Sequence, residues 1–188
     1  MAGNSDFNDR IRDCAARLKA SGVDALGALF DLTSQRLVRF AVALTRNQHD
    51  AEDCVQTALV RLARDPGLLA SVELPWPYLL RMVRNEALLV GRRKRSRPTD
   101  GILTDLVTIR RVDELEREET HRQVWSALRA LPTEQAEVVV LKIWEGMTFA
   151  QIGQILDSSP NTAASRYQYA IAKLSQRLLP TQREVYRD

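Results

Sequence analysis

The feature that most constrains this chain is an interrupted helical pattern near its C-terminus. Residues 148–170 read TFAQIGQILDSSPNTAASRYQYA. Thr148 followed by Gln151 is a capping box that begins one helix, and Ser159 followed by Pro160 is a cap and first-turn pair that begins the next. Because only three or four residues separate the two helices, they must cross at a steep angle. That geometry is a helix-turn-helix.

The second of these helices has an outer face without acidic groups. Its predicted buried residues are Ala163, Tyr167, Ala170, Ile171 and Leu174. Its predicted outward residues are Asn161, Thr162, Ala164, Ser165, Arg166, Gln168, Tyr169 and Lys173. Hydroxyls, amides and cations on one helix face suit the major groove of DNA. A corner in an ordinary helical bundle is the alternative, but the double capping and the acid-free face favour DNA binding.

Helical periodicity also accounts for the rest of the chain, where strand patterns are scarce. Apolar residues at helical spacing form one stripe over residues 26–44 and a second over residues 51–62. We predict that Asp50 is the N-cap of the helix that carries the second stripe. Further helices are predicted over residues 78–90, 113–130 and 131–146. The predicted fold class is therefore all-α.

We expect two small helical domains joined by a linker, a division that 188 residues allow. Residues 1–22 are an N-terminal extension, either a regulatory arm or a disordered segment. Residues 23–98 form the first domain. Residues 99–112 are acidic and have no clear period, so we place the linker there. Residues 113–180 form the second domain, which contains the helix-turn-helix.

Charge is distributed unevenly along a chain whose net charge is only +3. Residues 81–97 hold seven basic residues and one acid, Glu86. Residues 100–119 hold seven acids, and residues 161–183 hold four basic residues and no acid. Two basic segments with an acidic one between them indicate two contacts with a polyanion. Solvated helix faces are the alternative interpretation of such segments.

Several functional classes are excluded by what the sequence lacks. No apolar run approaches the roughly 20 residues that span a bilayer, and the N-terminus MAGNSDFNDR has no signal-peptide pattern. The two cysteines and two histidines are isolated, which argues against a disulfide framework and a zinc site. Paired carboxylates, a Cys/His pair and a glycine-rich phosphate loop are also absent at workable spacing. We therefore expect a cytoplasmic protein that is not an enzyme and has no metal or cofactor.

Two longer segments carry a family resemblance. The segment LPTEQAEVVVLKIWEGMTFAQIGQILDSSPNTAASRYQYAIAKLSQRL resembles region 4 of bacterial sigma factors. The segments DAEDCVQTALVRLAR and YLLRMVRNEALLVGRRKR resemble region 2. Over residues 24–179, the chain resembles a group 4, or extracytoplasmic-function (ECF), RNA polymerase sigma factor. The resemblance implies an alternative sigma factor that brings core polymerase to promoters, reads the −35 element as duplex and holds the −10 element melted.

The resemblance also implies partners and a polymerase-binding surface. The partners are core RNA polymerase, contacted at the clamp helices of its largest subunit and at its flap, promoter DNA, and an anti-sigma factor. Glu52, Asp53 and Gln56 resemble the surface that docks on the clamp helices. These residues form a polar, acidic face suited to a basic partner. Complementing the helix dipole is an alternative role for the acids.

The DNA-binding residues follow from the same resemblance. Seven residues resemble those with which the family reads the −10 element and contacts its phosphates: Trp76, Tyr78, Arg81, Arg84, Asn85, Arg92 and Arg93. Aromatic rings among cations suit an unpaired strand, because every base has a face to stack on. Trp76 lies between two prolines and is expected to stay partly exposed, whereas core packing explains Tyr78 equally well. For −35 we assign base edges to Ser165, Gln168 and Tyr169, and phosphates to Asn161, Thr162, Arg166 and Lys173.

Four residues depart from the family pattern. Tyr78 stands where a Trp is common, and Leu89 where an Asp is common. Asp157 replaces the glycine of the turn, and Ala164 replaces a basic residue that often contacts DNA. These departures bear on promoter sequence and affinity more than on the fold.

Two other functions remain as alternatives. One is a helix-turn-helix regulator that acts without polymerase, which leaves the acidic surface and the Trp76 region unexplained. The other is a sigma-like interaction protein that binds polymerase or an anti-sigma factor but does not recognise promoters.

Overall fold

The computed structural model of the protein describes the backbone of residues 2–96 and 115–178 and the side chains of residues 6–94 and 122–178. All regular elements in these ranges are helical, which confirms the predicted all-α fold class. The chain divides into two compact units, one mainly from its N-terminal half and one mainly from its C-terminal half. The linker predicted at 99–112 lies outside the described residues.

Four helices build the first unit and four build the second within the described ranges. The first unit contains α1 (Ala2–Ser21), a 3₁₀ turn (Gly22–Ala25), α2 (Leu26–Thr45), α3 (Gln48–Arg64) and α4 (Pro75–Ser96). The second unit contains α5 (Leu115–Arg129), α6 (Thr133–Val139) continued by a π-helical turn (Val140–Trp144), α7 (Phe149–Leu156) and α8 (Pro160–Leu178).

The N-terminal extension is a packed helix, so the alternative that it is a disordered segment is wrong. Phe7, Ile11, Ala15 and Leu18 of α1 are each at most 7% exposed. Their spacing of three or four residues places them on one side of a helix, where burial removes apolar surface from water. Helix α1 contacts both α2 and α4. It is therefore an integral part of the first unit.

Helices α2, α3 and α4 pack against one another and form the rest of this core. Arg46, at a left-handed φ of 59°, ends α2. Asn47 then caps α3, because its side chain accepts a hydrogen bond of 3.0 Å from the Asp50 backbone N–H. The prediction that Asp50 is the cap is therefore wrong by three positions. Asp50 instead forms an ion pair with Lys94 of α4.

The apolar stripe predicted on α3 is buried as expected. Its buried members are Ala51, Cys54, Val55, Ala58, Leu59 and Leu62. Helix α4 begins at Pro75, three residues before the predicted start at Tyr78. Proline is well tolerated in the first turn of a helix, where its missing N–H has no intrahelical partner. This earlier start brings Trp76 into the helix and into the core.

The second unit has its own apolar core beneath α8. The buried members of this core are Ala127, Leu128, Leu131, Ala136, Val139, Ala170 and Leu174. Trp125 of α5 and Trp144 stack with ring centroids 6.0 Å apart. Gly146, at a φ of 63°, ends the α6 segment as predicted.

The caps predicted at the starts of α7 and α8 are confirmed. The Thr148 backbone N–H donates to Gln151 Oε1 at 2.9 Å, and the Gln151 N–H donates to Thr148 Oγ1 at 3.2 Å. The Thr162 N–H donates to Ser159 Oγ at 3.0 Å. The first turns of α7 and of α8 are thus fixed by local hydrogen bonds.

Close backbone approach makes the turn between α7 and α8 tight. The Ser158 N–H donates to the Gly153 carbonyl at 2.9 Å, which is the six-to-one bond of a Schellman ending. A Cβ at Gly153 would lie 2.6 Å from the Ser158 carbonyl oxygen. Asp157 takes the left-handed conformation at a φ of 55°.

Candidate nucleic-acid interface

The outer face of α8 is the first candidate surface. Asn161, Ser165, Gln168 and Tyr169 are exposed, and Tyr169 keeps 66% of its accessible surface. Positions 161, 165 and 168 are separated by four and three residues, so they share one face of the helix. Ala163 and Ala170 are fully buried on the other side. The division of α8 into a buried and an outer face is therefore as the sequence predicts.

The remaining predicted −35 residues lie at the edges of this face. Thr162 is exposed, and its hydroxyl lies 2.9 Å from that of Ser159. Lys173 is exposed and donates to Gln135 Oε1 of α6 at 3.1 Å. Ala164 and Arg166 are half-buried. Side chains that donate hydrogen bonds at the edges of a recognition helix can reach the phosphates beside the groove.

An open cleft in the first unit is the second candidate surface. It has a volume of about 480 Å³ and is lined by Arg61, Asp65, Leu68, Tyr78, Arg81, Met82 and Asn85. Tyr78 is half-buried, while Arg81 and Asn85 are exposed. The cleft thus brings together three of the residues predicted to read the −10 element. A ring, a cation and an amide around one opening suit a single unpaired base.

The other predicted −10 cations lie further along α4. Arg84 is half-buried, and Arg92 and Arg93 are exposed near the C-terminal end of the helix. Basic groups in the last turns also complement the helix dipole. They extend the positive surface of α4 beyond the cleft.

Trp76 does not lie in the cleft, and the expectation that it remains exposed is wrong. Its side chain is 2% exposed. The Phe7 ring meets it edge-on, with centroids 5.0 Å apart and planes at 89°, and the Arg36 guanidinium lies 3.6 Å from the Phe7 centroid. A ring enclosed in this way cannot stack on a base. Its partner comes from α1, a contact that the sequence around Trp76 does not reveal.

Arg61 is one of four cleft residues that were not predicted from the sequence, with Asp65, Leu68 and Met82. It lies on α3 and donates from Nη1 to Glu86 Oε1 of α4 at 3.0 Å. Nothing local in the sequence distinguishes it from the other cations of α3. Only the packing of α3 on α4 brings it beside Tyr78.

The predicted polymerase-binding residues lie together on the outer side of α3. Glu52, Asp53 and Gln56 are all exposed. Gln48 Nε2 donates to Glu52 Oε1 at 2.6 Å, and His49 Nε2 lies 3.9 Å from Asp53 Oδ2. The carboxylates remain accessible to a basic partner, while the opposite side of α3 is in the core.

The cysteines are not placed for chemistry. Burial raises the pKa of the Cys54 thiol to about 11, with Asp50, Glu86 and Asp53 adding to the shift. Burial also raises the pKa of the Cys14 thiol. A thiol with a raised pKa is a weak nucleophile at neutral pH. Within the described ranges, no cluster of three metal-ligating side chains occurs.

In the part of the chain that the structure describes, no helix is both long and apolar enough to cross a membrane.

Family models match both halves of the chain. The model for sigma-70 region 2 matches residues 29–97, which include α3 and α4. The model for sigma-70 region 4 matches residues 121–174, which include the helix-turn-helix. Each candidate surface therefore lies in a separate family region.

Relatives and solved structures agree with these matches. The ECF RNA polymerase sigma factor SigM of Mycobacterium tuberculosis is 30% identical over 154 residues, covering 82% of this chain and 77% of SigM. The RNA polymerase sigma-E factor of Streptomyces avermitilis is 30% identical over 143 residues, covering 76% of this chain and 78% of the relative.

Two solved structures resemble the fold. CnrH, solved in complex with the cytosolic domain of CnrY, has a TM-score of 0.61 at 25% identity and covers 88% of this chain and 94% of its own. RpoE of Bartonella quintana, solved with the anti-sigma factor NepR, has a TM-score of 0.66 at 24% identity and covers 83% of this chain and 98% of its own. The chain belongs to the ECF RNA polymerase sigma factors of the sigma-70 family, the alternative sigma factors that direct RNA polymerase to promoters.

Proposed function

We propose that this sigma factor divides promoter recognition between two surfaces. The outer face of α8 reads the −35 element as duplex, and the cleft beside α4 holds an unpaired base of the −10 element. The observation that carries the proposal is the acid-free, exposed outer face of α8 on a helix whose other side packs into the core. The protein itself performs no chemistry and acts in the cytoplasm.

The −35 contacts divide by the chemistry of the side chains. Ser165, Gln168 and Tyr169 carry donors and acceptors at the exposed centre of α8. Amide and hydroxyl groups discriminate base pairs by the pattern of donors and acceptors in the major groove. Asn161, Thr162, Arg166 and Lys173 contact phosphates and fix the register of the helix. Ala164 adds an apolar contact without a charge.

The −10 contacts use the cleft and the positive end of α4. The Tyr78 ring provides the stacking surface, and Arg81 and Asn85 provide hydrogen-bond donors around it. Arg84, Arg92 and Arg93 follow the backbone of the displaced strand. Stacking and cationic groups together hold single strands without requiring a duplex.

The acidic face of α3 binds the polymerase. Glu52, Asp53 and Gln56 dock on the clamp helices of the largest subunit, where exposed carboxylates complement basic residues. The second unit contacts the flap, so that both DNA surfaces are held on one enzyme. An anti-sigma factor completes the set of expected partners, as the NepR complex illustrates for RpoE.

The test compares variants of the two surfaces in the reconstituted holoenzyme. Gln168→Ala should lose protection of the −35 duplex, whereas Arg81→Ala should keep that protection and lose permanganate reactivity of the −10 thymines. Glu52→Gln combined with Asp53→Asn should weaken binding to core polymerase. Glu134→Gln is the matched control, because Glu134 is exposed on α6 and belongs to none of these surfaces.

The outcomes separate the alternatives. If Gln168→Ala and Arg81→Ala reduced the same step equally, the two surfaces would not have separate roles. Tight, sequence-specific DNA binding by the isolated protein would favour a regulator that acts without polymerase. Polymerase binding without any promoter protection would favour the interaction-protein alternative.

A further inference from the structure

The Arg61–Glu86 pair joins α3 to α4 at the edge of the −10 cleft. The Arg61 side chain is 59% exposed, and its Nη1 lies 3.0 Å from Glu86 Oε1. The Glu86 side chain is only 15% exposed. Arg61 lines the cleft together with Tyr78 and Asn85. Arg61 is therefore part of the wall that an incoming strand would meet, and Glu86 holds it from α4.

The acid of this pair is unusual for its position. Glu86 is the only acidic residue in the 22 residues of α4, a helix that otherwise carries arginines and a lysine. A carboxylate beside a polyanion costs binding energy through repulsion. Affinity for DNA therefore does not explain why an acid stands here.

Glu86 limits how the Arg61 guanidinium can contact DNA. A guanidinium has five N–H donors in a fixed planar fork. One of these donors is used by Glu86 at 3.0 Å, which fixes the group and offsets its charge. Asp65 also lines the cleft and adds a negative charge to its wall. A fixed donor group with a compensated charge suits a base edge better than a phosphate.

We propose that Arg61 contacts the unpaired −10 base and that Glu86 is a specificity-determining residue which acts through Arg61. Glu86 holds Arg61 in place and offsets its charge. Arg61 is thereby prevented from binding the phosphates of any strand that enters the cleft. Selectivity is thereby obtained at the expense of affinity for unrelated sequences. This inference rests on the proposed function of the cleft.

The experiment uses the holoenzyme and a pool of promoter-length DNA duplexes that contain an unpaired bubble of randomised sequence. Retained DNA is sequenced to measure selectivity, and total retention is measured against salt concentration. The variants are Glu86→Gln, which removes the charge with little change in shape, and Arg61→Ala. Asp50→Asn is the matched control, because Asp50 pairs with Lys94 between the same helices and does not line the cleft.

The two variants are expected to differ in direction. Glu86→Gln should raise total retention at low salt and lower the selectivity several-fold. The slope of log retention against log salt concentration should become steeper by about one, because one more phosphate is neutralised. Arg61→Ala should weaken retention of the selected sequences by about tenfold with an unchanged salt slope. Asp50→Asn should match the wild type in both measurements.

Each other outcome overturns the proposal or its basis. If Glu86→Gln only lowers the melting temperature and keeps selectivity and salt slope, the pair is structural and the inference is wrong. A salt slope reduced by about one in Arg61→Ala would place Arg61 on a phosphate and also overturn it. If Arg61→Ala, Arg81→Ala and Asn85→Ala all retain the bubble DNA like the wild type, the cleft holds no DNA. The proposed −10 function then fails together with the inference.

Discussion

Asp157 and Gly153 determine how tightly the chain turns between α7 and α8. Asp157 adopts a φ of 55°, a conformation that glycine takes without cost and that Asp tolerates with some strain. We expect Asp157→Gly to stabilise the second unit by about 0.5 kcal/mol, since part of the relieved strain is offset by a more flexible unfolded chain. Chemical denaturation of the two proteins measures this difference. Lower stability in the glycine variant would contradict the assignment.

Gly153 provides the matched opposite case in the same turn. A Cβ at this position would lie 2.6 Å from the Ser158 carbonyl oxygen. We expect Gly153→Ala to destabilise the second unit by about 1–3 kcal/mol, because backbone atoms must move apart to admit the methyl group. The same denaturation experiment, read beside affinity for −35 duplex, should show both quantities falling together. Unchanged stability would mean that the turn is looser than the structure shows.

Trp76 is a core residue of the first unit. Its side chain is 2% exposed and contacts Phe7 of α1. We expect Trp76→Ala to cost about 3–5 kcal/mol of stability through the lost burial and the cavity left behind. Thermal melting followed by circular dichroism checks this.

Tyr78 provides the control for Trp76, because it is half-buried and lines the cleft. Tyr78→Ala should reduce binding of a pre-melted −10 strand more than it reduces stability. A Trp76→Ala protein as stable as the wild type would contradict the burial of the indole.

The two thiols should differ in their accessibility to reagents. Cys54 is buried with a pKa raised to about 11, whereas Cys14 is half-exposed. At pH 8 we expect a thiol reagent to modify Cys14 in the native protein and Cys54 only after unfolding. Because the pKa of Cys54 is higher in the folded than in the unfolded state, its contribution to stability is present below pH 9 and is lost between about pH 9 and 11. Rapid modification of both thiols in native protein would contradict the packing of α3.

At the scale of elements, the contacts that we propose for α8 separate the reading of bases from the binding of phosphates. Gln168→Ala should change which −35 sequence is preferred and leave the dependence on salt unaltered. Arg166→Ala should weaken binding to all sequences and reduce the salt slope by about one. Binding assays of the holoenzyme across a salt series distinguish the two effects. If Arg166→Ala altered sequence preference instead, our division of α8 into base and phosphate contacts would be wrong.

The elements that the sequence predicts well are those fixed by local interactions. The caps at Thr148 and Ser159 join residues three positions apart, so they can be predicted from a short segment of sequence. The apolar stripe of α3 can be predicted for the same reason, because its residues are only three or four positions apart. The stripe from Phe7 to Leu18 on α1 was equally regular, and attention to it would have identified a packed helix in place of an extension.

At the scale of the whole molecule, the residues that sequence reasoning misplaced depend on contacts between distant segments. Trp76 is buried because Phe7, from another helix, covers it. Arg61 enters the cleft because Glu86 holds it across the α3–α4 packing. Neither relation has a local signal, so the two candidate surfaces and Tyr78, Arg81 and Asn85 of the cleft could be predicted, while the burial of Trp76 and the position of Arg61 could not.

The most direct test of the account is run-off transcription by core RNA polymerase with this protein on a library of genomic promoter fragments. We predict initiation at a small set of fragments that share two conserved elements upstream of the start site. Gln168→Ala should alter the upstream element selected, and Asn85→Ala the downstream one. Initiation that does not depend on the protein, or a shared motif that neither variant alters, would contradict the account.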